Sequence, residues 1–318
     1  MSARRSLFAV VCAGQGEQAA LDFAALRPGP AADPAAHELW RSASGQVGCD
    51  WAAYWQALPL AARSANLEAQ RAVVLFQALR WLDLRTRLPA PDWVVGYSVG
   101  ELTAHAIAGS LPWRALPALV VARARAMDGV AASWTAAHGD ALPTAACLLR
   151  AGGPLPPAAS ERRRQALLRH GLQLAIRRGP ADHIWGGPPA ALAAMLAEAD
   201  APHWQLRVID VRCPSHTSWM APALPAWSAA LDAAAVQAPA IGILAGISAA
   251  RVRDAAAVRA TLLAQLATPL CWEEVLQALA EHGVGRLLDL GPGSDQTRLI
   301  RDQLPALQLL DAAAVQST

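Results

Sequence analysis

The chain has 318 residues, 54% of them hydrophobic, enough for one large domain or a large domain carrying a smaller one. Its formal net charge of +2 leaves no footprint for nucleic acid, and no apolar run approaches the ~18–20 residues that span a bilayer. All 27 basic residues are arginine, which excludes lysine chemistry such as a Schiff base.

Residues 7–12 are apolar and end in Gly14-Gln15-Gly16. Arg4 and Arg5 before this run have the outline of a short signal peptide, but a Gly/Gln turn follows in place of a small-residue cleavage site. The run therefore reads as a buried first strand. Residues 66–82 carry Leu67, Val74, Leu75, Ala78, Leu79 and Leu82 at helical spacing. Trp93-Val94-Val95-Gly96 reads as a strand, Val99 to about Ala108 as a helix, and Leu111 to about Val130 as another.

The pattern then changes. Strands are predicted over 143–150, 172–178, 183–185 and 203–212, with helices over 158–170 and 188–199. This β-α-β-β-α-β order fits a small ferredoxin-like module inserted in a larger α/β chain. Beyond it, 220–235 reads as a helix, 240–247 as a strand, 255–281 as two helices and 286–290 as a last strand into Gly291-Pro292-Gly293. Strands alternating with helices on both sides of the module predict a mainly parallel sheet covered by helices. The five cysteines, at 12, 49, 147, 213 and 271, have no CxxC or zinc-ligand spacing and read as free thiols of a reducing cytoplasm.

Gly96-Tyr97-Ser98-Val99-Gly100-Glu101 carries a G-x-S-x-G pattern between a strand and a helix. In that context the serine sits on a strained elbow with its hydroxyl exposed, and the helix N-terminus favours a developing oxyanion. An idle serine in a strand–helix turn is the plain alternative. A serine nucleophile needs a base. His216, in Pro214-Ser215-His216, follows the last strand of the module; His105 lies seven residues past Ser98, about two helical turns on, and points away from the elbow. Spacing alone does not choose among the eight histidines. The glycines around Gln15 let a backbone N–H approach a ligand oxygen, and the absence of GxGxxG and GxxxxGK argues against a nucleotide loop. Arg123, 25 residues after Ser98, is by itself an ordinary surface charge on a helix, as is Arg125.

Taken together, Gln15 in its turn, the Gly96–Glu101 elbow, Arg123 and Pro214-Ser215-His216 occur in the order and spacing of malonyl-CoA:acyl carrier protein transacylases. The sequence resembles that family from about residue 7 to about residue 300, including Gln265-Leu266, Pro269, Trp272 and Leu290-Gly291-Pro292-Gly293. The resemblance implies an α/β-hydrolase-like core over 1–133 and 213–318 and a ferredoxin-like insertion over 134–212. It implies Ser98 as the nucleophile that carries malonyl, His216 as its base, and the main-chain carbonyl of Gln265 as the group that orients His216. The backbone N–H groups of Gln15 and Val99 would form the oxyanion hole, and Arg123 would grip the free carboxylate of malonate. Malonyl-CoA would be the donor and the prosthetic thiol of an acyl carrier protein the acceptor, with no permanently bound cofactor or metal, and neither nucleic acid nor membrane as partner.

Three positions depart from the pattern. Tyr97 stands where fatty-acid and polyketide transacylases usually have His, Ala13 replaces a usual Pro, and Gly187 follows Trp185-Gly186 where many relatives have Asn. The Gly-Tyr-Ser-Val-Gly-Glu form with Arg123 and Met127-Asp128 looks most like the malonyl transferase subunit of bacterial malonate decarboxylase. That subunit loads a small dedicated carrier bearing a phosphoribosyl-dephospho-CoA group. The alternatives are the transacylase of fatty-acid or polyketide synthesis, a serine thioesterase or hydrolase, and a scaffold with a decayed site.

Overall fold

The computed structural model describes residues 6–138, 148–151, 156–187, 206–209, 211 and 213–310, together with 191, 194, 195, 197, 312 and 315. In chain order the strands are β1 Leu7–Cys12, β2 Trp93–Gly96, β3 Leu148–Ala151, β4 Gln173–Gly179, β5 Asp182–Gly186, β6 Leu206–Ile209, β7 Gly242–Leu244, β8 Leu270–Cys271, β9 Val284–Asp289 and β10 Gln308–Leu310.

Five of them form one sheet in the order β10-β9-β1-β2-β7, and every pairing in it is parallel. Strands of such a sheet are buried on both faces, which is why β1 and β2 read as continuous apolar runs. Side chains alternate between two cores. Phe8, Val10 and Val94 enter one, packed by helices that include Asn66–Leu84 and Leu116–His138. Ala9, Val11, Trp93 and Val95 enter the other, with Trp272, Val275 and Leu276 of the helix Trp272–Glu281.

The second sheet has the order β6-β3-β5-β4-β8. Its four strands between residues 148 and 209 are antiparallel, and the helix Pro157–Arg169 joins β3 to β4. Numbered within the group, their spatial order is 4-1-3-2, which matches the predicted module. β8 comes from the C-terminal part of the chain and pairs in parallel with β4. It separates the helices Ala255–Ala264 and Trp272–Glu281, and its two residues are too few to leave a periodic signal.

Several boundaries move for local reasons. The helix expected from Leu111 starts at Leu116 after a 3₁₀ turn over Trp113–Ala115; Pro117 fits its first turn, where a missing N–H costs nothing. It runs on to His138. The helix expected over 220–235 opens as a 3₁₀ turn, Ser218–Ala223, around Pro222, and continues as Leu224–Ala233. The strand expected over 240–247 is confined to β7. Residues 143–147, 203–205, 210 and 212 of two predicted strands, and most of 188–199, lie outside the described residues. The helices Pro34–Val47, Trp51–Ala57 and Asp295–Gln303 and the strand β10 had no counterpart in the sequence reading.

The turn after β2 packs directly on the end of β1, and Tyr97 N–H donates to Cys12 O at 2.8 Å. A Cβ at Gly100 would lie 2.3 Å from Cys12 O and 2.5 Å from Ala13 O. A Cβ at Gly96 would lie 2.2 Å from Glu101 Cα. These neighbours are backbone and cannot rotate away. Gly100→Ala is therefore expected to destabilise the fold by at least about 3 kcal/mol, the upper range for overpacking, in urea unfolding followed by circular dichroism.

Candidate active site

Ser98 lies between β2 and the helix Gly100–Ile107 with φ 57°, and His216 has φ 64°. Non-glycine residues seldom occupy this left-handed region, and surrounding structure must hold them there. Here it holds them face to face. Ser98 Oγ is 2.8 Å from His216 Nε2, and His216 Nδ1 is 2.7 Å from Gln265 O. A carbonyl oxygen can only accept, so Nδ1 carries the ring proton and Nε2 is left to accept from the serine hydroxyl. His216 N–H also donates to Leu266 O at 2.8 Å, tying the histidine loop to the segment after the helix Ala255–Ala264. Burial, with the charge of Arg123 adding to it, drives the His216 imidazole down to about 3. The ring is neutral near pH 7 and able to take a proton.

Gln265 uses its side chain as well as its carbonyl. Its Nε2 donates to Ser98 O at 3.1 Å and to the carboxylate of Glu101, while its Oε1 accepts from Arg123 Nη2 at 3.2 Å. Arg123 is only 2% exposed and is no surface charge; Arg125, two residues on, is exposed. The remaining contacts of Arg123 are Gln70 Oε1 at 2.6 Å and Met127 Sδ at 3.5 Å, both to Nη1. Among the described residues no carboxylate lies within ion-pair distance of its guanidinium. Burial pulls it down to about 10, still charged near pH 7.

A cavity of about 230 Å³ opens in front of Ser98, with Gln15, Tyr97, His216 and Arg178 among the residues that line it. Gly14 brings the Gln15 turn against the elbow: a Cβ there would lie 2.8 Å from Tyr97 Cδ1 and 3.4 Å from Ser98 Cβ. Gln77, fully buried, holds that turn by donating to Ala13 O at 2.7 Å and to Gly291 O at 2.6 Å. Tyr97 packs edge-on against Trp272 with centroids 5.1 Å apart. A Cβ at Gly187 would lie 2.7 Å from Leu172 Cδ2, which leaves little room for a side chain there.

The structure thus brings Ser98, His216 and Gln15 to the cavity, with Val99 buried at the start of the helix behind them. Gln265 and Arg123 lie beneath and are not among its lining residues. Sequence reasoning missed the partners that complete the cluster, Glu101 and Gln70, and also Arg178, which is buried on β4 and pairs through Nη2 with both oxygens of Asp295. Glu101 stood in the motif, but a polar residue in a first helical turn is ordinary. Gln70 shares its helix with other buried polar residues, Asn66 and Gln77, a weak signal in the sequence.

Other groups stay outside the site. His105 is fully buried, with Nδ1 2.8 Å from Ser110 Oγ rather than near Ser98. Cys12, Cys49, Cys213 and Cys271 are free thiols, and Cys147 lies outside the described residues. None of the described helices is long and apolar enough to cross a membrane, and no group of described side chains could hold a metal ion.

No protein-family model matches the chain. It is 25% identical over 319 residues to the malonyl CoA-acyl carrier protein transacylase of Haemophilus influenzae, covering 96% of each protein. The chain is thus similar over nearly its whole length to malonyl CoA-acyl carrier protein transacylases. Among solved structures, the Mycobacterium tuberculosis protein titled MCAT superposes with a TM-score of 0.82 at 24% identity, over 98% of this chain and 99% of that one. A malonyl-transacylase solved in complex with its type II PKS acyl-carrier protein also gives 0.82, at 23% identity over 98% of each chain. These superpositions establish the α/β fold, with the parallel sheet expected from the sequence.

The two buried histidines have a consequence for stability. Burial lowers His105 to about 3 as well, so each ring is neutral in the fold but binds a proton when unfolded below about pH 6.5. The unfolded state then holds more protons, and stability falls as pH drops from about 6.5 towards 3. In His105→Asn one such group is gone. Its stability-versus-pH slope between about pH 4 and 6, from urea unfolding, should be shallower than wild type by about 1.4 kcal/mol per pH unit.

Proposed function

We propose that this acyltransferase moves a malonyl group from malonyl-CoA to the thiol of an acyl carrier protein by way of an ester on Ser98. The observation that carries the reading is the hydrogen-bonded line from Ser98 through His216 to Gln265 O, ending beside a buried arginine that contacts no carboxylate among the described residues. Ser98 Oγ attacks the thioester carbonyl as its proton passes to His216 Nε2. The tetrahedral oxyanion is held by the N–H groups of Gln15 and Val99, each donor worth roughly 10²–10³ in rate. The CoA sulfur leaves with the proton from His216. The carrier thiol then attacks the malonyl ester by the same steps in reverse. The main-chain carbonyl of Gln265 fills the place that a carboxylate takes in serine hydrolase triads.

Arg123 supplies the acyl preference. A buried guanidinium without a contacting anion is costly, and the free carboxylate of malonate offers the bidentate geometry it suits. An acetyl group does not.

The relatives reported above favour fatty-acid or polyketide synthesis as the setting. A second setting, the malonyl transferase subunit of malonate decarboxylase, draws support from Tyr97, which occupies the usual histidine position and packs on Trp272. Loading both kinds of carrier side by side decides between them, the preferred carrier being the faster acceptor.

Mass spectrometry after mixing with malonyl-CoA should find a malonyl adduct on Ser98 that a phosphopantetheinylated carrier removes; rapid release of free malonate without transfer favours a thioesterase instead. Ser98→Ala should abolish the adduct and transfer. Arg123→Ala should lower kcat/KM for malonyl-CoA by roughly 30- to 10³-fold, the loss of a buried charge pair, and relatively favour acetyl-CoA. Unchanged malonyl-over-acetyl selectivity would remove Arg123 from the acyl site.

A further inference from the structure

Glu101 is the buried acid that the steps above leave without a role. It lies in the first turn of the helix Gly100–Ile107 and is 1% exposed. One oxygen accepts from Gly246 N–H at 3.4 Å, and the other meets Gln265 Nε2. The opposite end of the same amide accepts from Arg123. Turning the amide over would set its N–H groups against the guanidinium and its oxygen against the carboxylate, so charge at both ends fixes its orientation. Glu101 and Arg123 are thus joined through a glutamine amide rather than in direct contact.

Building on the malonyl-transfer reading, we propose that Glu101 is a positioning residue that tunes acyl specificity: through Gln265 it acts as the resident counter-charge of Arg123, in competition with the carboxylate of the incoming acyl group. The empty cluster holds one positive and one negative charge. A malonyl carboxylate on Arg123 adds a second negative charge in a buried setting, and like charges there favour protonation of one of them. Glu101 is placed to take that proton from solvent, because burial already lifts its carboxyl to about 7. Once neutral, its carbonyl oxygen still accepts from the Gln265 amide, so the line to His216 survives the change. The groups facing Glu101 are few. Among the described residues, His105 Nε2 is 4.0 Å away on the same helix, in a ring that burial keeps neutral; the helix Leu116–His138 contributes Arg123, and the segment after β7 contributes the Gly246 N–H. Arg123 is the charge that responds.

The test compares KM and kcat for malonyl-CoA and acetyl-CoA between about pH 6 and pH 8.5, which brackets the Glu101 carboxyl. In the unaltered protein KM for malonyl-CoA should rise on the order of tenfold across that range, as Glu101 ionises, while KM for acetyl-CoA stays flat. Glu101→Gln should flatten the malonyl profile and hold the malonyl-over-acetyl ratio at its acid value. A purely structural role would instead lower kcat for both donors alike and leave the profile unmoved. Parallel profiles for the two donors in the unaltered protein overturn the proposal, and that comparison does not depend on a variant folding. So does an unchanged malonyl slope in Glu101→Gln. Failure to transfer malonyl at any pH overturns the malonyl-transfer reading itself, whereas transfer with a pH-independent KM overturns only the role given to Glu101.

Discussion

Two backbones in this protein come closer than any side chain would allow, and the site depends on it. The turn after β2 rests on the carbonyls that end β1 with Gly100 at the point of contact, and Gly96 lets that turn fold back closely on Glu101. That approach sets Ser98 in a left-handed conformation and raises its hydroxyl into the cavity. It also places the Gly14–Gln15 turn against the elbow, because the turn is the direct continuation of β1. Ser98 and the Gln15 turn are therefore positioned together by packing between neighbouring parallel strands. This is how an open parallel sheet builds a site at the carboxyl ends of its strands.

Gln265 organises the opposite wall. Its carbonyl fixes the tautomer of His216, and its side chain joins a buried anion to a buried cation. With a carbonyl in place of a carboxylate behind the histidine, nothing there stabilises an imidazolium strongly, and burial keeps the ring neutral. A ring kept neutral is free to accept a proton. The nearby Arg123 charge pushes the same way.

Much of this was legible beforehand because it is local. An apolar run, then Gly-x-Ser-x-Gly, then a helical pattern specifies strand, elbow and helix within about fifteen residues, and the strained elbow appears in the structure as the φ of 57° at Ser98. The 4-1-3-2 sheet between residues 148 and 209 was visible as an order of elements. Other local signals were present and unused: Asp33 before Pro34 and Asp50 before Trp51 both cap helices that the periodicity did not reveal. β8 left no signal, since two residues carry no period.

The sequence by itself determined the strand–turn–helix setting of Ser98, the parallel α/β core and, through resemblance, which residues to look for around Ser98. Only the tertiary structure decided that Arg123 is buried, that it touches no carboxylate among the described residues, and that Glu101 reaches it across the Gln265 amide. These facts join residues far apart in the chain, Gln70 and Arg123 being 53 positions apart and Arg123 and Gln265 142. Burial and charge balance are sums over such distant neighbours, whereas a motif records only what adjacent residues do to one another.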